Sequence, residues 1–178
     1  MKLSIKILLT AILLTGTAYT FAKPHPTIKL NDPKIVDRHL SGFNGVHVGG
    51  SFDVYITQGN TESVKVEAPE EVIDRVITEV DGGVLKIHNK NEHWGWFNWG
   101  WNNHKKVVVY VTAKDLNNIA VSGSGNVFFK DGITTTSLKL RVSGSGDILG
   151  KVDVKILESS ISGSGDVKLS GKAESSTV

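Results

Sequence analysis

The amino-acid sequence predicts an all-β fold, a parallel β-helix whose rungs each contain about 20 residues. Three observations favour this fold. One seven-residue word recurs three times in the C-terminal half of the chain. The segments between these words alternate between apolar and polar residues, as half-buried strands do, and none has the periodicity of an amphipathic helix. The N-terminal half is less regular, and we expect it to add further strands and one short helix.

The repeated word consists of a β-branched residue, Ser-Gly-Ser-Gly, Asn or Asp, and a second β-branched residue. Its copies are spaced by 21 and then 19 residues, and a nearly constant period of this length is typical of solenoid proteins. The first residues of the three words are therefore expected to stack in successive rungs, and so are the last residues. The two predicted columns are Val121, Val142 and Ile161, and Val127, Ile148 and Val167.

The glycines of the words are interpreted as structural corners between strands. Glycine adopts a positive φ at no steric cost, and small side chains let corners stack at the ~4.8 Å spacing of paired strands. We expect replacement of a corner glycine by Val to destabilise the protein. The predicted corners are Gly123, Gly125, Gly144, Gly146, Gly163 and Gly165.

Chemical interpretations of the repeated word are weaker than this structural one. A nucleophile turn needs Gly-x-Ser-x-Gly, and a dinucleotide site needs a third, correctly placed glycine and a following helix; the word has neither. Calcium-binding β-rolls need a shorter period with more aspartates, so calcium is only the least improbable of these alternatives. Corner Asn and Asp side chains commonly bond to their own backbone. The word therefore predicts no metal site, cofactor or catalytic residue.

The first 22 residues are predicted to be a secretory signal peptide. Lys2 and Lys6 precede an apolar run at 7–14, small residues follow, and a cleavage site lies after Ala22. The apolar run is much shorter than the ~20 residues of a membrane-spanning helix. We therefore expect an exported protein without a transmembrane anchor, located in the periplasm, on the outer surface or in the medium.

The remainder of the chain is predicted to be an extended leader, residues 23–40, and a single β-helix domain, residues 41–178. Residues 43–56 have the alternation of a degenerate first rung, and residues 64–67 form a further short strand. Pro69 opens a segment in which apolar residues at 72, 73, 76 and 77 have helical spacing. This short helix is expected to cover one end of the solenoid.

Composition and charge exclude several classes of function. The chain carries 20 Lys+Arg and 18 Asp+Glu, and both surplus lysines lie in the signal peptide, so the mature protein is neutral. Nucleic-acid binding needs clustered excess positive charge, so no nucleic-acid partner is expected. The chain has no cysteine, which excludes disulfides, thiolate metal sites and thiol nucleophiles.

All four tryptophans of the chain lie between residues 94 and 101. This near-palindromic segment is predicted to be a hairpin that turns at residues 97 and 98, with the indoles on one side. The same register would pair Ile87 with Val108 and Leu85 with Tyr110. Exposed indoles would suit sugar rings or a membrane interface, whereas indoles that fold back would plug the solenoid. The predicted ligand-binding residues are Trp94, Trp96, Phe97, Trp99, Trp101, Asn102 and His104.

Histidines also cluster around this segment. His88, His93 and His104 lie in or beside the predicted hairpin, together with Glu92. Such a set is compatible with a metal site, but solvated loop histidines are more common, so no metal is predicted.

The chain resembles the head GIN domain family of auto-transporter adhesins over residues 36–178. The resemblance is carried by 42–46, 52–59, 64–67, 83–87 and 109–112 and, most specifically, by the three Ser-Gly-Ser-Gly-Asp/Asn words. It implies a right-handed β-helix and an exported bacterial protein, often from Bacteroidota, without an established catalytic activity. It brings no binding residues, and no segment resembles the membrane barrel of an autotransporter.

Together these features predict a non-enzymatic binding module of the cell envelope, whose tryptophan hairpin contacts a glycan or another surface. A purely structural β-helix with the hairpin as a self-cap is the alternative. A polysaccharide-cleaving enzyme is less favoured, because the acidic residues are scattered among basic neighbours. Residues 171–178 read as the start of a further rung without its corner word. This apparently incomplete coil would leave an open end through which the protein could self-associate.

Overall fold

Residues 33–90 and 106–178 are described by the computed structural model, and they form eleven strands and one short helix. The predicted signal peptide, most of the leader and the tryptophan segment lie outside the described residues. The elements are β1 (Lys34–Asp37), β2 (Gly45–Gly50), β3 (Asp53–Gln58), β4 (Ser63–Ala68), α1 (Glu70–Ile73), β5 (Val76–Asp81), β6 (Val84–Asn89), β7 (Val108–Ala113), β8 (Asn118–Gly123), β9 (Asn126–Gly144), β10 (Ile148–Gly163) and β11 (Val167–Thr177).

The strands form one mixed sheet, in the order β1-β4-β7-β3-β9-β8-β2-β6-β5, with β10 paired to β9 and β11 paired to β10. Most pairs are parallel, but β1 with β4, β4 with β7 and β5 with β6 are antiparallel. The predicted all-β class and the single helix in the described residues are confirmed. The sheet is not purely parallel, because the strands that flank the helix return along their neighbours in the opposite direction.

The repeated words align in successive coils of the sheet. Val142 is paired with Val121 on one side and with Ile161 on the other. Ile148 is likewise paired with Val127 and Val167. Both predicted columns are confirmed, and the period of 19–21 residues is the length of chain between equivalent positions in neighbouring coils.

The segment from β2 to β3 forms a further coil of the same kind. β2 is parallel to β8, with Gly50 paired to Gly123, and β3 is parallel to the start of β9, with Val54 paired to Val127. The segment predicted to be a degenerate first rung therefore pairs in parallel register with the strands that contain the first repeated word. Its corner is Gly49-Gly50-Ser51, which stands in the column of Ser-Gly-Ser-Gly corners.

The two strands that flank the tryptophan segment do not pair with each other. β6 lies between β2 and β5, whereas β7 lies between β3 and β4. The predicted pairing of Ile87 with Val108 and of Leu85 with Tyr110 is wrong, because both edges of each strand are already occupied. Instead β6 and β7 extend the coil stack by one coil, beside β2 and β3 respectively.

Inward-facing side chains of the coils fill one hydrophobic core. Alternate residues along the inner strands are buried, as in Val46 and Val48 of β2 and Val54 and Ile56 of β3. Phe129 is fully buried, and its ring lies where Gly150 in the next coil has no side chain. Among the described residues no polar or charged residue is buried as a whole, so the side chains of the core pack through apolar contacts.

The end of the stack beside β6 and β7 is covered by β4, α1 and β5. Ile73 of the helix is only 2% exposed and belongs to the core cluster, in agreement with the predicted covering role. The helix ends at Ile73, however, and Val76 begins a strand that pairs with β6, so the predicted continuation of the helix is wrong. The Arg38 guanidinium donates hydrogen bonds to the carbonyl oxygens of Ile73 and Val76, which fixes this reversal.

The described residues include no helix with the length and apolarity needed to cross a membrane. At the opposite end of the stack, β11 pairs with β10 only.

Candidate functional site

The corner column is the most regular feature of the surface. The first glycine of each corner has a positive φ: 117° at Gly123, 121° at Gly144 and 130° at Gly163. Gly50, in the corner between β2 and β3, also has a φ of 130°. A side chain is strained in this region of backbone space, so these positions favour glycine for a conformational reason.

The second glycine of each corner is required for a different reason. At Gly125 a Cβ atom would lie 2.7 Å from the carbonyl oxygen of Phe52 in the preceding coil. Cβ atoms at Gly146 and Gly165 would collide with the carbonyl oxygens of Gly125 and Gly146 respectively. The close approach of successive corners therefore excludes any side chain, even where φ is ordinary. The six glycines of the repeated words thus fall into two groups, one with a positive φ and one without space for a Cβ atom.

The Asn and Asp side chains that follow the first two Ser-Gly-Ser-Gly corners connect successive coils. Asn126 Oδ1 accepts a hydrogen bond from the backbone N–H of Asp147 at 3.2 Å. Asp147 Oδ1 accepts one from the N–H of Asp166 at 2.9 Å. The expectation that these side chains bond to their own backbone is wrong, because the parallel register brings the N–H of the next coil within reach.

We call the connected residues Asp53, Asn126, Asp147 and Asp166 the side-chain ladder. A lysine binds the residue at each end of this ladder. Lys106 Nζ lies 3.1 Å from Asp53 Oδ2, and Lys168 Nζ lies 2.9 Å from Asp166 Oδ2. Each hydrogen bond stabilises the charged ammonium group, so the pKa of Lys106 and the pKa of Lys168 are raised above the usual lysine value. The described residues contain no group of three or more His, Asp and Glu side chains that could hold a metal ion. The ladder is thus organised around backbone N–H groups and lysines.

In the sequence, the tryptophan segment lies between β6 and β7, which are parallel to β2 and β3 respectively. Backbone hydrogen bonds fix the described residues on either side of it. Lys90 N–H donates to the Arg75 carbonyl oxygen at 2.9 Å, and Asp53 N–H donates to the Val107 carbonyl oxygen at 3.2 Å. The predicted ligand-binding residues Trp94, Trp96, Phe97, Trp99, Trp101, Asn102 and His104 all lie outside the described residues. The structure therefore establishes where this segment leaves and rejoins the sheet.

A row of aromatic side chains lies on the outer face of β7, β3 and β9. The rings of Tyr55 and Tyr110 are stacked with centroids 5.8 Å apart, and those of Tyr55 and Phe128 are 5.0 Å apart. We call these three residues the aromatic strip. Within the strip, Tyr55 therefore stacks on a ring at each side, and Tyr110 and Phe128 each stack on one.

The aromatic strip was missed in the sequence because its members are far apart in the chain. They become neighbours only through the parallel pairing of β3 with both β7 and β9. The wrong pairing of Tyr110 with Leu85 hid this relationship. A search for outward-facing aromatic residues at equivalent positions in successive coils would have found it.

A carboxylate orients one end of the strip. The Tyr110 hydroxyl donates a hydrogen bond to Glu67 Oε2 at 2.8 Å. This hydrogen bond and the adjacent negative charge disfavour the phenolate, so the pKa of Tyr110 is raised above its usual value. Tyr110 is 41% exposed and is therefore a surface group, not a core residue.

One shallow cavity of about 210 Å³ lies between β9, β10 and the end of β11. Lys139 and Arg141 line it together with Glu158, and Lys139 Nζ lies 2.6 Å from Glu158 Oε2. The lysine holds the pKa of the Glu158 carboxyl below its usual value. The cavity thus contains an ion pair and one additional cation, without a pair of carboxylates suited to glycoside cleavage.

Comparison with known families identifies the domain. The chain matches the family model "Putative auto-transporter adhesin, head GIN domain" over residues 42–178. No curated protein matches the chain.

Several solved structures have a similar fold. A "putative adhesin" from Bacteroides fragilis has a TM-score of 0.73 and 24% identity, with 82% of this chain and 65% of that chain covered. A "putative lipid binding protein" from Parabacteroides distasonis has a TM-score of 0.66 and 23% identity, with 80% and 61% covered. A "putative adhesin" from Parabacteroides merdae has a TM-score of 0.58 and 18% identity, with 83% and 68% covered.

These identities show a shared fold alone. The chain spans 65% and 61% of the length of the first two of these structures. The family model, by contrast, covers well over half of the sequence and includes all three repeated words. The chain therefore belongs to the family described as "Putative auto-transporter adhesin, head GIN domain".

Proposed function

We propose that this protein is a non-enzymatic binding module of the cell envelope that contacts a glycan or another surface through residues 94–101. The observation that carries the proposal is where the described strands on either side of this segment end and begin. Because β6 is parallel to β2 and β7 is parallel to β3, these strand ends lie beside the ends that flank the Gly49-Gly50-Ser51 corner. Residues 51 and 52 alone join β2 to β3, whereas the sequence between β6 and β7 contains four tryptophans and one phenylalanine.

The corner column faces solvent, which supports an accessible segment. Ser122 and Ser124 on either side of Gly123 are exposed, and so are Ser143 and Ser145 at the next corner. An insertion that starts at such a corner begins on the surface of the domain. Indoles placed there would present apolar area with an N–H donor, a combination suited to sugars and to membrane interfaces.

The alternative, in which the indoles plug the coil stack, is less well supported. The adjacent end of the stack is already covered by β4, α1 and β5. Val64 and Val66 of β4 are fully buried there, and Ile73 and Val76 are almost so. β4, α1 and β5 thus supply a cover for the core from within the described residues.

The coils are proposed to wind as a right-handed parallel β-helix to which β1, β4 and β5 add an antiparallel cap. The in-register parallel pairing of β8, β9, β10 and β11 supports this winding. The family and two of the similar structures are named adhesins, which supports export to the envelope and a binding role without catalysis. One similar structure is named a lipid binding protein, so both glycans and lipid surfaces belong in the test.

Tryptophan fluorescence tests the proposal directly, because all four indoles lie in this segment. We expect emission near that of solvated indole, strong quenching by acrylamide, and a spectral shift on addition of envelope polysaccharide or of liposomes. Blue-shifted emission that acrylamide does not quench would contradict an accessible segment and support the self-cap.

Two variants provide the controls. Trp96→Ala combined with Trp99→Ala should abolish the binding-induced shift and leave the melting temperature unchanged. Tyr110→Ala removes a surface aromatic residue outside the tryptophan segment and should leave the shift intact. A loss of binding in both variants would show that the effect is not specific to the tryptophan segment.

A further inference from the structure

We propose that the outer face of β4, β7, β3, β9, β10 and β11 is a self-complementary surface that pairs with a second copy of this chain. This inference goes beyond the proposed function and does not depend on it, because none of its residues belongs to the tryptophan segment. It rests on three parallel rows of side chains, each of which runs across these strands.

The central row consists of Tyr110, Tyr55, Phe128 and Leu149, with a lysine at each end. The aromatic strip continues in register to Leu149 of β10, which is paired with Phe128. Residues on either side of each member along its strand are buried, such as Val54 and Ile56 beside Tyr55, so the strip lies on the outer face. Lys65 of β4 and Lys168 of β11 are exposed in the same register at the two ends of this row.

The row on the corner side is acidic. It includes the side-chain ladder and extends to Glu67, which shares the partner Val108 with Asp53. Lys106 and Lys168 neutralise part of its charge through their bonds to Asp53 and Asp166. The acidic row consists of Glu67, Asp53, Asn126, Asp147 and Asp166.

The row on the opposite side is basic and hydroxylic. Lys130 and Lys151 each lie two residues after a member of the central row and are exposed, and no carboxylate of the described residues lies within ion-pair distance of either. Asp131 is the one acidic neighbour in this row, and its carboxylate lies 3.5 Å from the Thr57 hydroxyl. The basic row consists of Thr112, Thr57, Lys130, Lys151 and Ser170.

This arrangement fits a two-fold axis along the central row. The axis runs between the two copies, parallel to the central row. Rotation by 180° about it brings the central rows of the two copies into contact and places the acidic row of each copy opposite the basic row of its partner. Because positions along the axis are retained, Asp147 of each copy faces Lys151 of the other, and Asn126 faces Lys130. An isologous interface requires this kind of self-complementarity.

The extent of the surface indicates a weak dimer. Six strands at ~4.8 Å and four residue steps at ~3.3 Å give a patch of about 24 Å by about 13 Å. That area is well below the ~800 Å² that each partner contributes to a standard stable interface. We therefore expect a dissociation constant on the order of hundreds of micromolar. Salt should weaken the association, because exposed charges are screened.

A charge-swap experiment tests the proposal on the exported chain by sedimentation velocity in low salt. Lys151→Asp and Asp147→Lys should each weaken self-association at least tenfold. A 1:1 mixture of the two variants should associate again, because both contacts between unlike copies are then attractive. A monomeric wild type at millimolar concentration, or a mixture that stays monomeric, would overturn the proposal.

Matched variants separate this face from other contacts. Lys155→Asp makes the same charge change on β10 outside the three rows and should associate as the wild type does. Ser175→Pro blocks strand addition at the free edge of β11; loss of association in this variant alone would assign the contact to that edge and overturn the proposal. Since Asp147→Lys also removes the acceptor for the Asp166 N–H, Asp147→Asn serves as a second variant that keeps an acceptor and should weaken association less.

Discussion

Asn126 donates a hydrogen bond from Nδ2 to Oδ1 of Asp53 at 3.0 Å and, through Oδ1, accepts one from the backbone of Asp147. The side chain thus uses both ends of its amide between two coils. The corresponding residues of the next coils are Asp147 and Asp166, and Asp147 accepts without donating. The difference between Asn in the first word and Asp in the others follows from Asp53, which is a carboxylate neighbour that needs a donor.

Asn126→Asp is therefore expected to destabilise the protein. The substitution removes the donor and places a second carboxylate about 3 Å from Asp53, and like charges in adjacent cross-strand positions repel. We expect a loss of about 1–2 kcal/mol in the free energy of unfolding at pH 7, measured by urea denaturation.

Asp147→Asn is the matched control, since it retains the Oδ1 acceptor for the Asp166 N–H and should change stability by less than about 0.5 kcal/mol. At pH 3, where carboxyl groups become protonated, the deficit of Asn126→Asp should shrink. A deficit that does not change with pH would show that charge repulsion is not its cause.

The ladder shows how far sequence reasoning extends in this protein. The repeat predicted which residues stack, because identical words at a nearly constant spacing can satisfy their backbone groups only in register. It did not predict what Asn126 bonds to, because Asp53 lies in a coil whose word has diverged to Gly49-Gly50-Ser51. Side-chain contacts between coils of different sequence depend on the pairing register of their strands. The local pattern of apolar and polar residues does not define this register.

For the strands on either side of the tryptophan segment, the pairing predicted from the sequence was wrong. The near-palindrome at 94–101 predicts a local hairpin, and local pairing was extended to Ile87 and Val108. Each of these strands instead pairs with a parallel neighbour. Ile87 of β6 is paired with Val48, and Val109 of β7 is paired with Val54. A long-range parallel register prevailed because it buries the inward faces of both strands in one core. The aromatic strip was invisible for the same reason.

Three glycines are expected to separate backbone strain from steric exclusion. Gly82 has a φ of 57° and open space where a Cβ atom would lie, Gly146 has ordinary φ but no space, and Gly144 has both constraints. We expect Gly82→Ala to cost about 1 kcal/mol, and Gly146→Ala and Gly144→Ala to cost more, with Gly144→Ala the largest. Thermal unfolding of the three variants measures this order.

Gly82→Asn is the control, because asparagine tolerates a φ near 57°, and it should be close to neutral. Stability of Gly146→Ala equal to wild type would contradict the close approach of successive corners.

The side chain of Gln58, the last residue of β3, forms hydrogen bonds to backbone groups as a neighbouring strand would. Its Oε1 accepts from the Thr134 N–H at 2.8 Å, and its Nε2 donates to the Thr134 and Lys114 oxygens at 3.0 Å each. Gln58→Ala should leave these backbone groups without their partner and cost about 1 kcal/mol in urea denaturation.

Gln58→Glu keeps the acceptor and, when ionised, loses both donors. We expect Gln58→Glu to be as destabilising as Gln58→Ala at pH 7 and to recover part of the loss near pH 4, where a protonated carboxyl donates again. Equal behaviour of the two variants at both pH values would argue against the donor role of the amide.

Tyr110 should titrate above its usual pKa because its hydroxyl donates to Glu67. A raised pKa in the folded state means that the hydrogen bond stabilises the protein below the unfolded pKa, about 10. That stabilisation is lost as the pH rises through the folded pKa, when the phenolate forms. Ultraviolet difference titration of residues 23–178 with Tyr55→Phe isolates the Tyr110 signal, and Glu67→Gln in that background should shift the midpoint down towards 10. An unchanged midpoint would show that Glu67 does not hold the phenol, and Tyr110→Phe would then leave stability at pH 8 unaltered.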